Sequence, residues 1–183
     1  MCRIMTSNYR GCTTENGISI SGDRGKLVGF KGTCLPEFAP KKDFWTKWHS
    51  KLGKVSEEES ILYYIDHYYK EVLSNLDPLE MLEKIPKGSI LLCYEDSDEF
   101  CHRHLVSAWF ELFLGVSSSE VIENPRRETV KRTKRPEYIK PLLETVIKVN
   151  YEMNGFDNIK DAYEYNQKNK KDKSLELKMV WLI

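Results

Sequence analysis

A chain of 183 residues, 40% hydrophobic and 31% charged, has the composition of a globular protein with one sizeable core. Its 28 Lys and Arg balance 28 Asp and Glu, so no whole-molecule field draws in a polyanion, and any nucleic-acid role must rest on a local patch. No apolar run reaches membrane-span length, the start "MCRIMTSNYRGC" has no apolar signal core, and five irregularly spaced cysteines (Cys2, Cys12, Cys34, Cys93, Cys101) read as reduced thiols, so we expect a cytoplasmic protein without a membrane partner.

In chain order, "RIMTSNY" opens with a short strand that ends in Thr6, Ser7 and Asn8. Small polar side chains at a strand end suit a polar cleft and also suit a turn. "GISIS" (17–21) alternates as a strand does. Gly22, Gly25, Gly29 and Gly32 follow, in an order that matches neither a P-loop nor a dinucleotide fingerprint, and read as a mobile loop. "FWTKWHSKL" (44–52) fits an amphipathic helix. Ser56 and Glu59 make a capping box for a long helix whose Ile61, Ile65, Tyr68, Val72 and Leu76 share one face. Asp77 and Pro78 begin another helix, which "PKG" (86–88) stops.

The run "SILLC" (89–93) is apolar on both alternations and bounded by turn residues, which predicts a central parallel strand. The loop "YEDSDE" leads into a helix from about Phe100 to Leu114, with Asp98 a candidate N-cap, and "EVIEN" (120–124) is the next strand. "PRRETVKRTKRP" (125–136) carries six Lys or Arg against one Glu. Residues 137–153 and 156–167 read as two helices separated at Gly155, and "LELKMVWLI" is an edge strand or a docked strip. The expected organisation is an α/β core domain over 1–124, and a basic linker with a helical extension packed on the core over 125–183. The fold class is three-layer α/β with a mostly parallel central sheet flanked by helices.

The chemistry concentrates in "LLCYEDSDEFCHRHLVSAWF" (91–110). Ligands bind open α/β sheets beyond the carboxyl ends of strands, and a helix start lowers a thiol pKa. Cys101, expected in the first helical turn, is therefore a candidate reactive cysteine, with His102 as acid or base and Glu95 as general base. On a helical wheel Cys101 and His102 fall on the buried side of Leu105, Trp109 and Phe113, which suits a cleft floor and equally a packed core pair. Arg103 and His104 fall elsewhere. Four acids (Glu95, Asp96, Asp98, Glu99) crowd the helix start and need a cation, so Arg103 is expected to pair with Glu95. Thr6, Ser7 and Asn8 should lie beside this turn and, with Arg103, bind substrate. The Cys-x₇-Cys-His-x-His spacing of Cys93, Cys101, His102 and His104, with distant His67, matches no standard zinc pattern. We therefore assign no metal and no cofactor, a metal at Cys101 and His102 being a minor alternative.

The same stretch resembles the signature of the bacterial and phage family called domain of unknown function 488. Its members carry an apolar strand, then Leu-Cys-Tyr/Phe-Glu, a short loop, and Cys-His-Arg opening a helix. "TSNY" (6–9), "SIS" with Gly25 and Lys26, "FKG" (30–32), "FAP" (38–40), "YYKEVLSNLDP" (68–78) and "RPEYIKPLLETVIK" (135–148) extend the resemblance in order. It implies an α/β fold and a polar site of the TSN segment, Glu95 and Cys101-His102-Arg103. Two functions follow as expectations. One is an intracellular enzyme acting on a nucleotide or nucleic acid through the Cys-His-Arg/Glu site. The alternative is a non-catalytic nucleic-acid-binding module using Arg126, Arg127, Lys131, Arg132, Lys134 and Arg135.

Overall fold

A computed structural model describes residues 3–12, 15–124 and 129–180. The strands are β1 (Arg3–Asn8), β2 (Gly17–Ser19), β3 (Thr33–Cys34), β4 (Ile90–Cys93), β5 (Ser117–Asn124) and β6 (Thr129–Thr133). The helices are α1 (Lys42–Lys51), α2 (Glu57–Glu71), α3 (Pro78–Glu83), α4 (His102–Leu114), α5 (Ile139–Asn150) and α6 (Ile159–Val180).

One sheet runs β3-β2-β4-β1-β5-β6. All pairs are parallel except β5 with β6. The apolar strand β4 is central, between β2 and β1, as its run of four buried residues requires. Ile4, Ile18, Ile20 and Leu91 join the main core with α4, whereas Ile90, Leu92 and Val121 form a small second cluster with Met5, Tyr9 and Phe30. This is the period-2 alternation of a two-sided sheet.

The layers stack as sheet, α4 and outer helices. α4 packs against β1, β4 and β5, and also against α3, α5 and α6. Every residue from His102 to Phe110 is buried, as for a helix in the middle of a core. That corrects the single-stripe reading of this helix: Arg103 and His104, placed away from the core on the wheel, are fully buried because that side of α4 packs on β5 and β1 of the sheet, where both meet Glu120. α4 also starts later than expected. Cys101, not Asp98, is its N-cap, with extended backbone, and Gly115 ends it in the left-handed region.

Both expected caps are present. Ser56 Oγ accepts from Glu59 N at 3.2 Å. The helix it opens stops at Glu71, however, and a 3₁₀ turn carries the chain to Asn75. Asp77 Oδ1 accepts from Leu79 N and Glu80 N at 2.9 and 3.1 Å, and Tyr163 and Gln167 of α6 donate to the same carboxylate. Asp77→Ala should cost about 1–2 kcal/mol. Thermal unfolding checks this, and an unchanged midpoint refutes it.

Two C-terminal expectations change. Residues 129–133, read as part of a linker, are strand β6, antiparallel to β5. Thr129, Val130 and Thr133 are strand formers, and the basic count had masked that preference. The tail read as an edge strand or strip continues α6 to Val180. Leu, Glu, Lys and Met are good helix formers, and extending an existing helix costs little. Among the described residues no helix is long and apolar enough to cross a membrane.

Candidate functional site

β4 delivers Cys93 to the carboxyl edge of the sheet, and after seven intervening residues the chain turns into α4 at Cys101. His102 Nδ1 lies 3.6 Å from Cys93 Sγ and 4.0 Å from Cys101 Sγ. His102 Nε2 is 3.0 Å from the Ile20 carbonyl. A carbonyl only accepts, so Nε2 carries the hydrogen, and Nδ1 faces the two sulfurs. Ile20 follows β2, so the ends of two neighbouring strands, β2 and β4, and the start of α4 meet at this imidazole. Tyr68 of α2 packs against the ring.

Burial opposes ionisation of Cys101, but the Cys93 hydrogen bond, the Arg103 charge and His102 outweigh it and hold the thiol well below its usual range. Burial, then Cys101, push the Cys93 thiol well up, so it remains a donor. Burial would lower His102, yet Cys101 and the Ile20 carbonyl raise it. Glu95 lies against the same sulfur; burial and the Cys101 charge push its carboxyl up to about 7. Its Oε2 is buried and has no hydrogen-bond partner among the described residues.

These groups form the floor of a cleft of about 460 Å³. Trp45, Trp48, Tyr64, Tyr94 and Phe100 line it, with Asp23 and Lys42 as further charged groups. Its glycine-rich flank, expected as a mobile loop, is tied down. Asp23 accepts from Gly25 N, Leu27 N, Ser21 Oγ and Tyr94 Oη. Gly25 has φ 73°, and a Cβ there would lie 2.6 Å from Phe30, so this turn needs glycine.

Arg103 points away from the cleft. Its Nε and Nη2 donate to Glu120 Oε1 at 2.9 and 2.7 Å, and Nη2 also donates to the Asp96 carbonyl. The partner is thus Glu120, not Glu95. Position 103 of α4 faces β5, and β5 presents Glu120 in register with Thr6. Thr6 Oγ1 donates to Glu120 Oε2, and His104 Nε2 lies 3.4 Å from that oxygen. Burial raises the Glu120 carboxyl, but His104 and Arg103 outweigh it and hold it below the usual range. Ser7 donates to the Val121 carbonyl and Asn8 to Asp96. The TSN segment therefore adjoins the CHR turn, but Thr6, Ser7, Asn8 and Arg103 are not among the cleft-lining residues. They brace the turn from behind.

Of the basic stretch, Arg126 and Arg127 lie outside the described residues, as do the side chains of Lys131 and Arg132. Lys134 is exposed. Arg135 is committed: it donates to Glu111 Oε2 and Ser118 Oγ, each at 2.6 Å. Burial raises Glu111, but the Arg135 and Ser118 hydrogen bonds outweigh it and bring the carboxyl to about 2. A depressed folded pKa stabilises above the unfolded value of about 4.3 and loses that contribution as pH falls towards the folded value. Glu111→Gln should therefore flatten the loss of stability between about pH 4 and 2. Urea midpoints across that window test it, and parallel wild-type and variant curves refute it. The two side chains are only 14% and 18% exposed, so solvent screening reduces the effect without removing it.

Sequence reasoning missed Glu120, the Ile20 carbonyl and the aromatic walls. An acid in the strand-like "EVIEN", followed by the apolar Val121 and Ile122, was the available signal for Glu120. Trp45, Trp48 and Tyr64 were legible only as helix faces.

Fold and site together define an α/β protein with thiol, imidazole and carboxyl groups gathered where a central strand hands over to a helix. The family model DUF488-N3a, described as the active DUF488-N3 subclade, matches residues 4–112, from β1 through most of α4. The chain belongs to this DUF488 family. No curated protein and no solved structure matches it.

Proposed function

We propose that the protein is an enzyme acting on a nucleotide-class substrate in the aromatic cleft, with Glu95, Cys101 and His102 as the groups that meet the reacting atoms. One observation carries this reading: the buried, unpartnered Oε2 of Glu95 at the cleft floor. A carboxylate oxygen kept from water without a partner is costly, and a ligand donor is the usual compensation. The walls support the substrate class. Planar indole and phenol rings offer faces on which a base stacks, and the volume suits a small molecule. Lys42 is the cation available to a phosphate. Glu95 is the proton-exchanging group, Cys101 and His102 form the polar floor, and Arg103, Thr6, Ser7 and Asn8 hold the turn in place.

Nucleosides and nucleotides should quench the fluorescence of Trp45 and Trp48. Glu95→Met should abolish turnover and yet stabilise the fold by about 1–2 kcal/mol, because it removes an unsatisfied buried oxygen. Failure of every nucleoside and nucleotide to quench overturns the substrate class. A destabilised Glu95→Met variant shows that the carboxylate serves the fold.

A further inference from the structure

We propose that Cys93, Cys101 and His102 form a three-ligand site for a soft divalent cation of the zinc class, with the remaining coordination position open to the cleft.

The ligand atoms of the three residues all lie within 4.8 Å of one another. A tetrahedral ion about 2.3 Å from sulfur and about 2.0–2.1 Å from nitrogen holds those two atoms about 3.6 Å apart. His102 Nδ1 stands 3.6 and 4.0 Å from the two sulfurs, so small side-chain adjustments suffice. Residues that merely pack are under no such constraint.

His102 is also oriented as a ligand should be. Its Nε2–H donates to the Ile20 carbonyl at 3.0 Å, which turns the Nδ1 lone pair towards the sulfurs. A backbone carbonyl behind a histidine is the usual outer support of a metal-bound imidazole. Cys93 ends the central strand β4 and Cys101 caps α4, so the ligands sit on rigid elements. Two thiolates and an imidazole select zinc-like ions over magnesium or calcium. Coordination replaces two protons of the trio and leaves a divalent ion with its charge balanced by two thiolates. Three protein ligands with a fourth position open is the pattern of catalytic rather than structural zinc. All three residues line the same cleft as Glu95, which places an oxygen acid beside that open position.

Linear spacing hid this set. The Cys-x₇-Cys-His run has only two sequence-adjacent ligands, and the third arrives because the loop 94–100 folds back over the strand end. The inference goes beyond the proposed reaction and does not depend on it.

The test uses the full chain, stripped with chelator and titrated with cobalt(II) and then zinc(II). Cobalt should bind at one equivalent, with the strong visible absorption of a tetrahedral site and a thiolate charge-transfer band, and zinc should displace it. On the unmodified chain, zinc should protect Cys93 and Cys101 from alkylation, read by mass spectrometry, and leave Cys34 unprotected. Cys93→Ser and Cys101→Ser should each weaken binding by at least about 100-fold, more than loss of an outer partner costs. Cys34→Ser should not change it. Absence of the charge-transfer band, or equal alkylation of Cys93 and Cys101 with and without zinc, overturns the site, and neither readout needs a variant that folds. Metal binding without any nucleotide binding leaves this site standing and removes the proposed function. Nucleotide binding in a chain that takes up neither cobalt nor zinc does the reverse.

Discussion

Glu120→Gln should destabilise the fold by about 3–5 kcal/mol, although the two side chains have nearly the same shape. The side chain of Arg103 has 0% exposure and that of Glu120 has 1%. The guanidinium gives two hydrogen bonds to Glu120 Oε1, and its Nη1 is buried without a partner among the described residues. Glu120 is thus the carboxylate that compensates a cation wholly removed from water. Neutralising it leaves the positive charge buried and uncompensated, which costs far more than a surface pair would. Arg103→Lys should also be damaging, because a point charge cannot make both the Glu120 and the Asp96 carbonyl contacts. The apolar double variant Arg103→Met with Glu120→Leu should recover most of the loss, since it removes both desolvated charges. Urea unfolding of the three variants decides the matter. A Glu120→Gln loss below about 1 kcal/mol would mean that the pair is hydrated and behaves as a surface ion pair.

Trp109→Ala should cost about 3–5 kcal/mol. The ring lies midway along α4 and is 1% exposed. Phe38, Phe110 and Phe113 surround it, with ring centroids 6.2, 5.0 and 5.9 Å away. Those neighbours come from α4 itself and from the 3₁₀ turn Pro36–Phe38, which is held by a Tyr68 hydroxyl on the Phe38 carbonyl. Truncation opens a void that rings fixed on two sides cannot refill. Trp109→Phe should cost clearly less. The denaturant slope should stay constant, because the loss is one of packing and not of compactness. An alanine variant within about 1 kcal/mol of the wild type would show that the surrounding rings relax into the space.

Much of the fold is legible residue by residue. The apolar run 89–93 marks the central strand. Ser56 and Asp77 mark helix starts, and Gly115 and Gly155 occupy left-handed turns after α4 and α5. All of these depend on neighbours within a few positions. The site was legible in part. Cys101, His102 and Glu95 stand at a strand-to-helix turn, and the inward direction of the first two follows from helical geometry.

The amino-acid order alone therefore settled the central strand, the caps at Ser56 and Asp77 and the turn that carries the thiol, because each arises from contacts only a few residues apart, whereas β6 and the end of α6 were misread. It could not settle where Arg103 points or what orients His102. Glu120 is 17 residues from Arg103 in the chain, and the Ile20 carbonyl is 82 residues from His102. Those partners meet through the register of β5 on β1 and of β2 on β4. A helical wheel reports one buried stripe, whereas α4 is enclosed by a sheet and by a second helical layer. Long-range packing thus determines whether a charged residue beside the stripe faces water or another charge.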